Sequence, residues 1–308
     1  MKFYKNFCLA AALSLSFASA PLMASYTQTQ HPIVLVHGVM GFDDIGGLVN
    51  YFHTIPWHLE RSGATVKVAN VSFVNSSQER GQQLANQLEN WGAEKYHLFG
   101  HSQGAPTSRY AAHLSPERVA SVTSINGVNK GSAVADLLRG QLNPESLPEN
   151  LLDQIAVSLG QLMNFFTGQS HTQDGIAAME TLTTQGSLAL NDETGWKGLN
   201  PNGCTGGAHQ ATVAGHTQHY FSWTGRGTLT NLLDPSDGPL AITGLVFAGE
   251  QNDGLVSVCS QKFGQVLANY NHSNHLDAVN HLFGIRSLWH NPVTPYRTHA
   301  NRLKNLGL

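Results

Sequence analysis

Residues 96–114 read YHLFGHSQGAPTSRYAAHL: an apolar run, a serine with glycine two places before and two after it, then a stretch of helical character. No other feature of the chain narrows the possible folds as far. The pattern G-x-S-x-G, here Gly100, Ser102 and Gly104, occurs often by chance. Between a strand and a helix, however, it specifies a tight strand-to-helix turn. Glycine is required because side chains at those two positions would collide with neighbouring backbone. Such a turn holds Ser102 at the carboxyl edge of a sheet and at the N-terminus of a helix, whose dipole favours negative charge. A serine held there is presented for attack on a carbonyl carbon. The bland alternative is a serine that only caps a helix.

The rest of the chain supplies a sheet for that turn. HPIVLVHGVMGF opens with a β-branched run bounded by Pro32 and Gly38, as expected of a strand buried on both faces. TVKVANVSF, VASVTSIN and TGLVFAG read as further strands. YFHTIPWHLERSG has helical spacing and stops at Gly63, and SSQERGQQLANQLENWG reads as a capped amphipathic helix with Leu84 and Leu88 on one face. Segment 169–232, rich in Gly, Thr, Asn and His, reads as loops with short strands. Strands alternating with helices imply an α/β fold built on a parallel sheet. The 308 residues, 41% hydrophobic and 12% charged, can bury one large core, and no repeat or linker argues for a second domain.

Charge excludes some partners. The 17 Lys and Arg residues are scattered and the net charge is −3, which leaves no basic stripe for nucleic acid and no polybasic anchor. The opening MKFYKNFCLAAALSLSFASAPLMA places Lys2 and Lys5 before an apolar run too short for a transmembrane anchor, and it ends in small residues. It reads as a secretory signal over residues 1–24, leaving one domain over 25–308. Cys8 departs with the signal. Cys204 and Cys259 remain, and in an oxidising compartment two cysteines imply one disulfide.

An acyl-transfer serine needs oxyanion donors and a base oriented by an acid. The backbone N–H of Gln103, directly after the nucleophile, is one expected donor, and that of Val39, in the loop after IVLV, is the other. His37 precedes the serine at a strand end and is a weaker candidate for the base. The partners should follow the serine, acid first and histidine second. Asp253 lies in a turn beside Gly254 after TGLVFAG and is the expected acid. Spacing alone does not choose among His272, His275, His281, His290 and His299. Residues 144–168 carry Leu151, Leu152, Ile155, Leu159, Leu162, Met163 and Phe166 at helical spacing. This greasy face reads either as a core helix or as a movable lid over the site.

With HGVMGFDDI, GHSQG, LTNLLDPSD, NDGLVSVCS, NHLDAVNHLFG and YRTHANRLKN in this order, the chain resembles the secreted, foldase-dependent Pseudomonas-type triacylglycerol lipases from about Tyr26 to its end. The resemblance implies an α/β-hydrolase fold and a triad of Ser102, Asp253 and His275, with oxyanion donors at Val39 and Gln103. It further implies one structural Ca²⁺ held by Asp234 and Asp277 and by the backbone carbonyls of His281 and Ile285. Oxygen ligands with two carboxylates suit that hard cation. The disulfide would join Cys204 to Cys259, and a dedicated periplasmic foldase would be a partner on the way out of the cell. The substrate would be triacylglycerol or another long-chain ester at a lipid–water interface. His281 stands where relatives commonly have glutamine and Val39 where they often have methionine; both roles use only the backbone. A soluble carboxylesterase or acyltransferase using the same triad is the alternative enzyme, and a non-catalytic hydrolase-fold binding protein the alternative from another class. Zinc held by the 16 scattered histidines is the weaker metal reading.

Overall fold

The computed structural model describes residues 25–39, 51–142, 148–164, 175–281 and 283–308. The expected signal segment lies outside these residues, as do Met40 to Asp44 of the oxyanion-loop motif and the lid positions Phe166 and, for their side chains, Leu162 and Met163.

Along the chain run β1 Ile33–Val36, α1 Ile55–Glu60, β2 Val66–Val68, α2 Ser77–Trp91, β3 Tyr96–His101, α3 Gly104–Leu114, β4 Val119–Ile125 and α4 Ala133–Leu138. There follow α5 Glu149–Asn164, α6 Gly175–Leu182, α7 Thr184–Thr194, β5 Gln210–Val213, β6 His216–Gly225 and α8 Asp237–Gly244. The last elements are α9 Val258–Gln261, β7 Gln265–Tyr270 and α10 Val293–Asn305. The seven strands form one sheet in the order β2-β1-β3-β4-β6, with β5 and β7 both paired to β6. All pairings are parallel except that of β5 with the first half of β6.

Alternation along the strands sorts their side chains into two layers. Ile33, Leu35, Phe99, Phe221 and Trp223 pack with α1 and α10 on one face. Val34, Val36, Leu98, Val122 and Tyr220 pack with α2 and α3 on the other. The sequence places the helix ends as well: the Ser76 side chain accepts from the Glu79 N–H at the start of α2, and Gly92, at φ 74°, closes it. Residues at the two ends of the described chain are stitched together. Gln30 N–H donates to the Leu308 carbonyl at 2.7 Å, Asn301 to the Tyr26 carbonyl at 2.9 Å and Lys304 to the Ser25 carbonyl at 2.6 Å.

Three expectations change. TGLVFAG is not a strand: it ends α8 and continues as a 3-10 turn over Leu245–Phe247. There Val246 and Phe247 pack with Val134 and Ile155, so burial under α4 and α5 overrides the strand preference of the run. Segment 169–232 holds α6, α7 and the long central strand β6 as well as loops. TVKVANVSF pairs only over Val66–Val68.

Candidate active site

Strand order reverses between β1 and β3, because the chain leaves β1 for β2 on one side and returns to β3 on the other. Loops that leave adjacent strands in opposite directions open a crevice at the carboxyl edge. His37 to Val39 leave β1 there, and Ser102 leaves β3.

Ser102 has φ 55°, a left-handed conformation costly for a residue with a Cβ. The surroundings hold it there. Its N–H donates to the Ile125 carbonyl at 3.1 Å, and its own carbonyl accepts from Val128 at 3.2 Å and Ala105 at 3.1 Å. The flanking glycines are sterically obligatory. A Cβ on Gly100 would lie 2.2 Å from the Gly104 carbonyl oxygen, and one on Gly104 would lie 2.0 Å from that of Val36.

The Ser102 hydroxyl is 2.9 Å from His275 Nε2, and His275 Nδ1 is 2.8 Å from Asp253 Oδ2. Because a carboxylate only accepts, Nδ1 carries the hydrogen and Nε2 is left to accept from the serine. Asp253 is fully buried and its carboxylate accepts three bonds besides that of the imidazole: from Leu255 N–H at 3.1 Å, Val256 N–H at 2.8 Å and Asn126 Nδ2 at 2.9 Å. The His275 N–H also donates to the Asp253 carbonyl at 2.9 Å. Of the five histidines left open by spacing, His275 is therefore the one brought to Ser102. His299 instead bonds Thr123 at 2.8 Å in the core, His272 stacks on Trp289 and His290 on Tyr270.

Among the described residues, the His37 ring bonds partners other than the serine. Its Nδ1 lies 2.9 Å from the Gly38 carbonyl, and burial, with the Arg80 charge adding to it, pushes its pKa down to about 3. Val39 lines the same cavity as Ser102, and Gln103 caps α3. Among the described residues, no turn or loop carbonyl accepts from either amide. Two N–H groups beside a serine–histidine pair, with no such partner among the described residues, would be able to donate to a tetrahedral oxyanion.

Two supporting residues were not anticipated. Arg80 is fully buried in α2; its guanidinium donates to the His37 carbonyl at 2.6 Å, the Gly38 carbonyl at 3.1 Å and the Gln103 side-chain carbonyl. Burial lowers its pKa only to about 9, so it stays cationic at neutral pH. The available signal was an arginine four residues before Leu84 and eight before Leu88, hence on the buried face of the helix. His101 is the other. Its Nε2 lies 3.0 Å from the His275 carbonyl, which can only accept, so Nδ1 accepts from the Tyr51 hydroxyl at 2.6 Å. Burial takes the His101 pKa well below its ordinary value, which keeps this tautomer neutral.

Above Ser102 and His275 lies a cavity of about 370 Å³ walled mainly by apolar side chains, among them Phe73, Val128, Leu159, Met179 and Leu182. Ser102 itself is only 5% exposed. Ile155 of α5 is buried against Val246 and Phe247, and Leu159, one turn on, faces the cavity.

Asp234 and Asp277 are both buried. Burial pushes Asp277 up to about 6, with the Asp234 charge adding to it, and raises Asp234 too, with Asp237 adding. Asp277 accepts from Ser287 N–H at 2.7 Å, Thr230 Oγ1 at 2.8 Å and Asn274 N–H at 2.9 Å. Among the described residues no cationic side chain pairs with either acid. Nor do three His, Cys, Asp or Glu side chains converge on one point there. Neighbouring buried carboxylates without a counter-charge fit a divalent cation that completes its shell with backbone oxygen, as His281 and Ile285 would supply. Cys204 and Cys259 are unbonded thiols set side by side; burial, with Cys204 beside it, pushes the Cys259 thiol up to about 11.

Residues 31–279 match the family described as alpha/beta hydrolase fold. A triacylglycerol lipase of Vibrio cholerae is 48% identical over 297 residues, covering 94% of this chain and 93% of its own. A triacylglycerol lipase of Pseudomonas fragi is 38% identical, with 93% of this chain and all of its own covered (100%). Among solved structures, the mature Bacillus licheniformis lipase BlEst2 superposes with a TM-score of 0.59 at 16% identity, covering 89% of this chain and 92% of its own, a likeness of fold.

Proposed function

The chain belongs to the α/β-hydrolase family and, within it, to the triacylglycerol lipases, and from that premise we propose that it is a secreted serine lipase of the foldase-dependent Pseudomonas type. The observation that carries the mechanism is the hydrogen-bonded line Ser102–His275–Asp253 at the floor of an apolar cavity. Ser102 Oγ attacks the ester carbonyl carbon while His275 Nε2 takes its proton. The carbonyl oxygen becomes an oxyanion, which accepts from the N–H groups of Val39 and Gln103. Collapse of the intermediate breaks the acyl–oxygen bond, and His275 returns the proton to the departing alcohol. Water, deprotonated by His275, then attacks the acyl-serine and releases the fatty acid. Asp253 holds the imidazole in the tautomer this requires and stabilises its cationic form.

Ca²⁺ at Asp234 and Asp277 would offset two buried negative charges and fix the loop two residues beyond His275. Elemental analysis of the purified protein, with melting before and after chelation, tests it; no bound metal and no effect of chelator would remove the site. The signal over residues 1–24, the foldase and a disulfide that oxidation of the neighbouring Cys204 and Cys259 thiols would form belong to one export route. Free-thiol titration of the exported protein and recovery of activity with and without a co-expressed foldase examine them.

The direct test compares the chain with Ser102→Ala on emulsified triolein and on a soluble p-nitrophenyl ester. The variant should stay folded and lose at least about 10³-fold in kcat on both. Residual activity near the parent's would end the triad assignment. Activity of the parent on the soluble ester alone would favour a carboxylesterase.

A further inference from the structure

The loop LTNLLDPSD after β6 is turned inside out. Its acids Asp234 and Asp237 are 5% and 3% exposed, while Leu232 and Leu233 stand 97% and 82% exposed. An ordinary soluble loop reverses this arrangement, because exposing large apolar side chains to water is unfavourable and exposing carboxylates is not. A second segment joins it: Asn231 Nδ2 donates to the Arg286 carbonyl at 2.8 Å and Leu288 N–H to the Thr230 carbonyl at 3.5 Å, so the segment that carries Phe283, Leu288 and Trp289 runs against the one that carries Leu229, Leu232 and Leu233. All six are exposed, and Trp289 rests against His272 with ring centroids 5.2 Å apart. With Asp234 buried, the one charged side chain of residues 229–235 and 283–289 that reaches solvent is Arg286, partly exposed and 3.5 Å from Asn280 Oδ1.

The placement selects an occupant. Both segments leave the carboxyl ends of parallel strands, β6 and β7, and Ser102 leaves the same edge from β3. The apolar face therefore lies on the side of the molecule from which an ester enters. Large apolar side chains with an exposed tryptophan and a partly exposed arginine suit the boundary between acyl chains and headgroups. We propose that the loops 229–233 and 283–289 form a lipid-surface docking site, separate from the lid, that seats the carboxyl edge of the sheet on the lipid phase. The proposal rests on the lipase reading for its biological meaning, but it is tested without catalysis.

The probe is a vesicle of dialkyl-ether phosphatidylcholine, which has no ester to cleave, with calcium kept in the buffer. Flotation should recover the parent chain with the vesicles. Leu232→Ser/Leu233→Ser should lower the partition coefficient by about tenfold or more, since each leucine buried in the lipid is worth a comparable factor. Hydrolysis of a soluble p-nitrophenyl ester and the melting temperature should stay at parental values, and Leu288→Ser supplies the same reading should the double variant fail to fold. Equal partition of parent and variants, or no partition of the parent, overturns the docking site. So does a concentration-dependent dimer that the double variant dissolves, because the face would then cover a second copy. Failure of the parent to hydrolyse any ester would instead sink the lipase reading and leave the vesicle result to decide this one.

Discussion

Ser102 is a strained residue that the surrounding residues compel, and its neighbours show how far single letters can be read. The two glycines announced themselves in GHSQG, because the turn admits nothing larger. Asp253 was legible from its turn beside Gly254, whereas His275 needed the resemblance, since spacing treats every downstream histidine alike. Arg80 and Asn126 were not legible as site residues. Each acts on groups distant in sequence, Arg80 on His37 and Gly38 and Asn126 on Asp253, and such pairings exist only once the sheet brings β1, α2 and β4 together. Arg80 gives a prediction at this scale. Arg80→Met would leave the His37 and Gly38 carbonyls without their buried donor and free the loop carrying Val39. The kcat for a soluble ester should fall by roughly 10- to 100-fold with KM nearly unchanged. Unchanged kcat in a folded variant would show that the loop holds its shape without the guanidinium.

At the scale of elements, the strands before the nucleophile were recoverable because period and burial agree there. TGLVFAG misled because a short apolar run is ambiguous between a strand and a buried helix, and the packing of α5 decides it. That same packing divides α5 by side chain. Ile155 is buried within the cluster with Val246 and Phe247, while Leu159 is only partly buried against that cluster and also lines the cavity over Ser102. Leu159→Asp should therefore reduce hydrolysis of emulsified long-chain triglyceride much more than that of a soluble short-chain ester, with melting changed by a few degrees at most. Ile155→Asp should instead unfold the chain, since it buries an unpaired charge. Equal losses on both substrates for Leu159→Asp would mean that the helix lines the pocket without gating it.

At the scale of the molecule, acid is the weak point. Burial holds His37 and His97 at about 3 and takes His101 and His299 well below 6.5. In the unfolded chain these imidazoles bind protons near 6.5, so below that pH the unfolded state carries more protons than the folded one. Their contribution to stability is complete above about 6.5 and is lost as the pH falls toward 3, at roughly 1.4 kcal/mol per pH unit for each histidine. Unfolding free energies from urea titrations should decline steeply between pH 6.5 and 4.5; a flat profile there would contradict the neutral core histidines. The stitching of residues 25–30 to residues 301–308 reaches further still. A ribosome delivers the first of these partners long before the last, and the Ser102–His275 bond likewise joins residues 173 apart in sequence. Contacts so distant along the chain are slow to close, and partly closed sheets expose sticky edges. The Ser102–His275 pair therefore cannot form until residue 275 has been made and the sheet that carries both residues has closed.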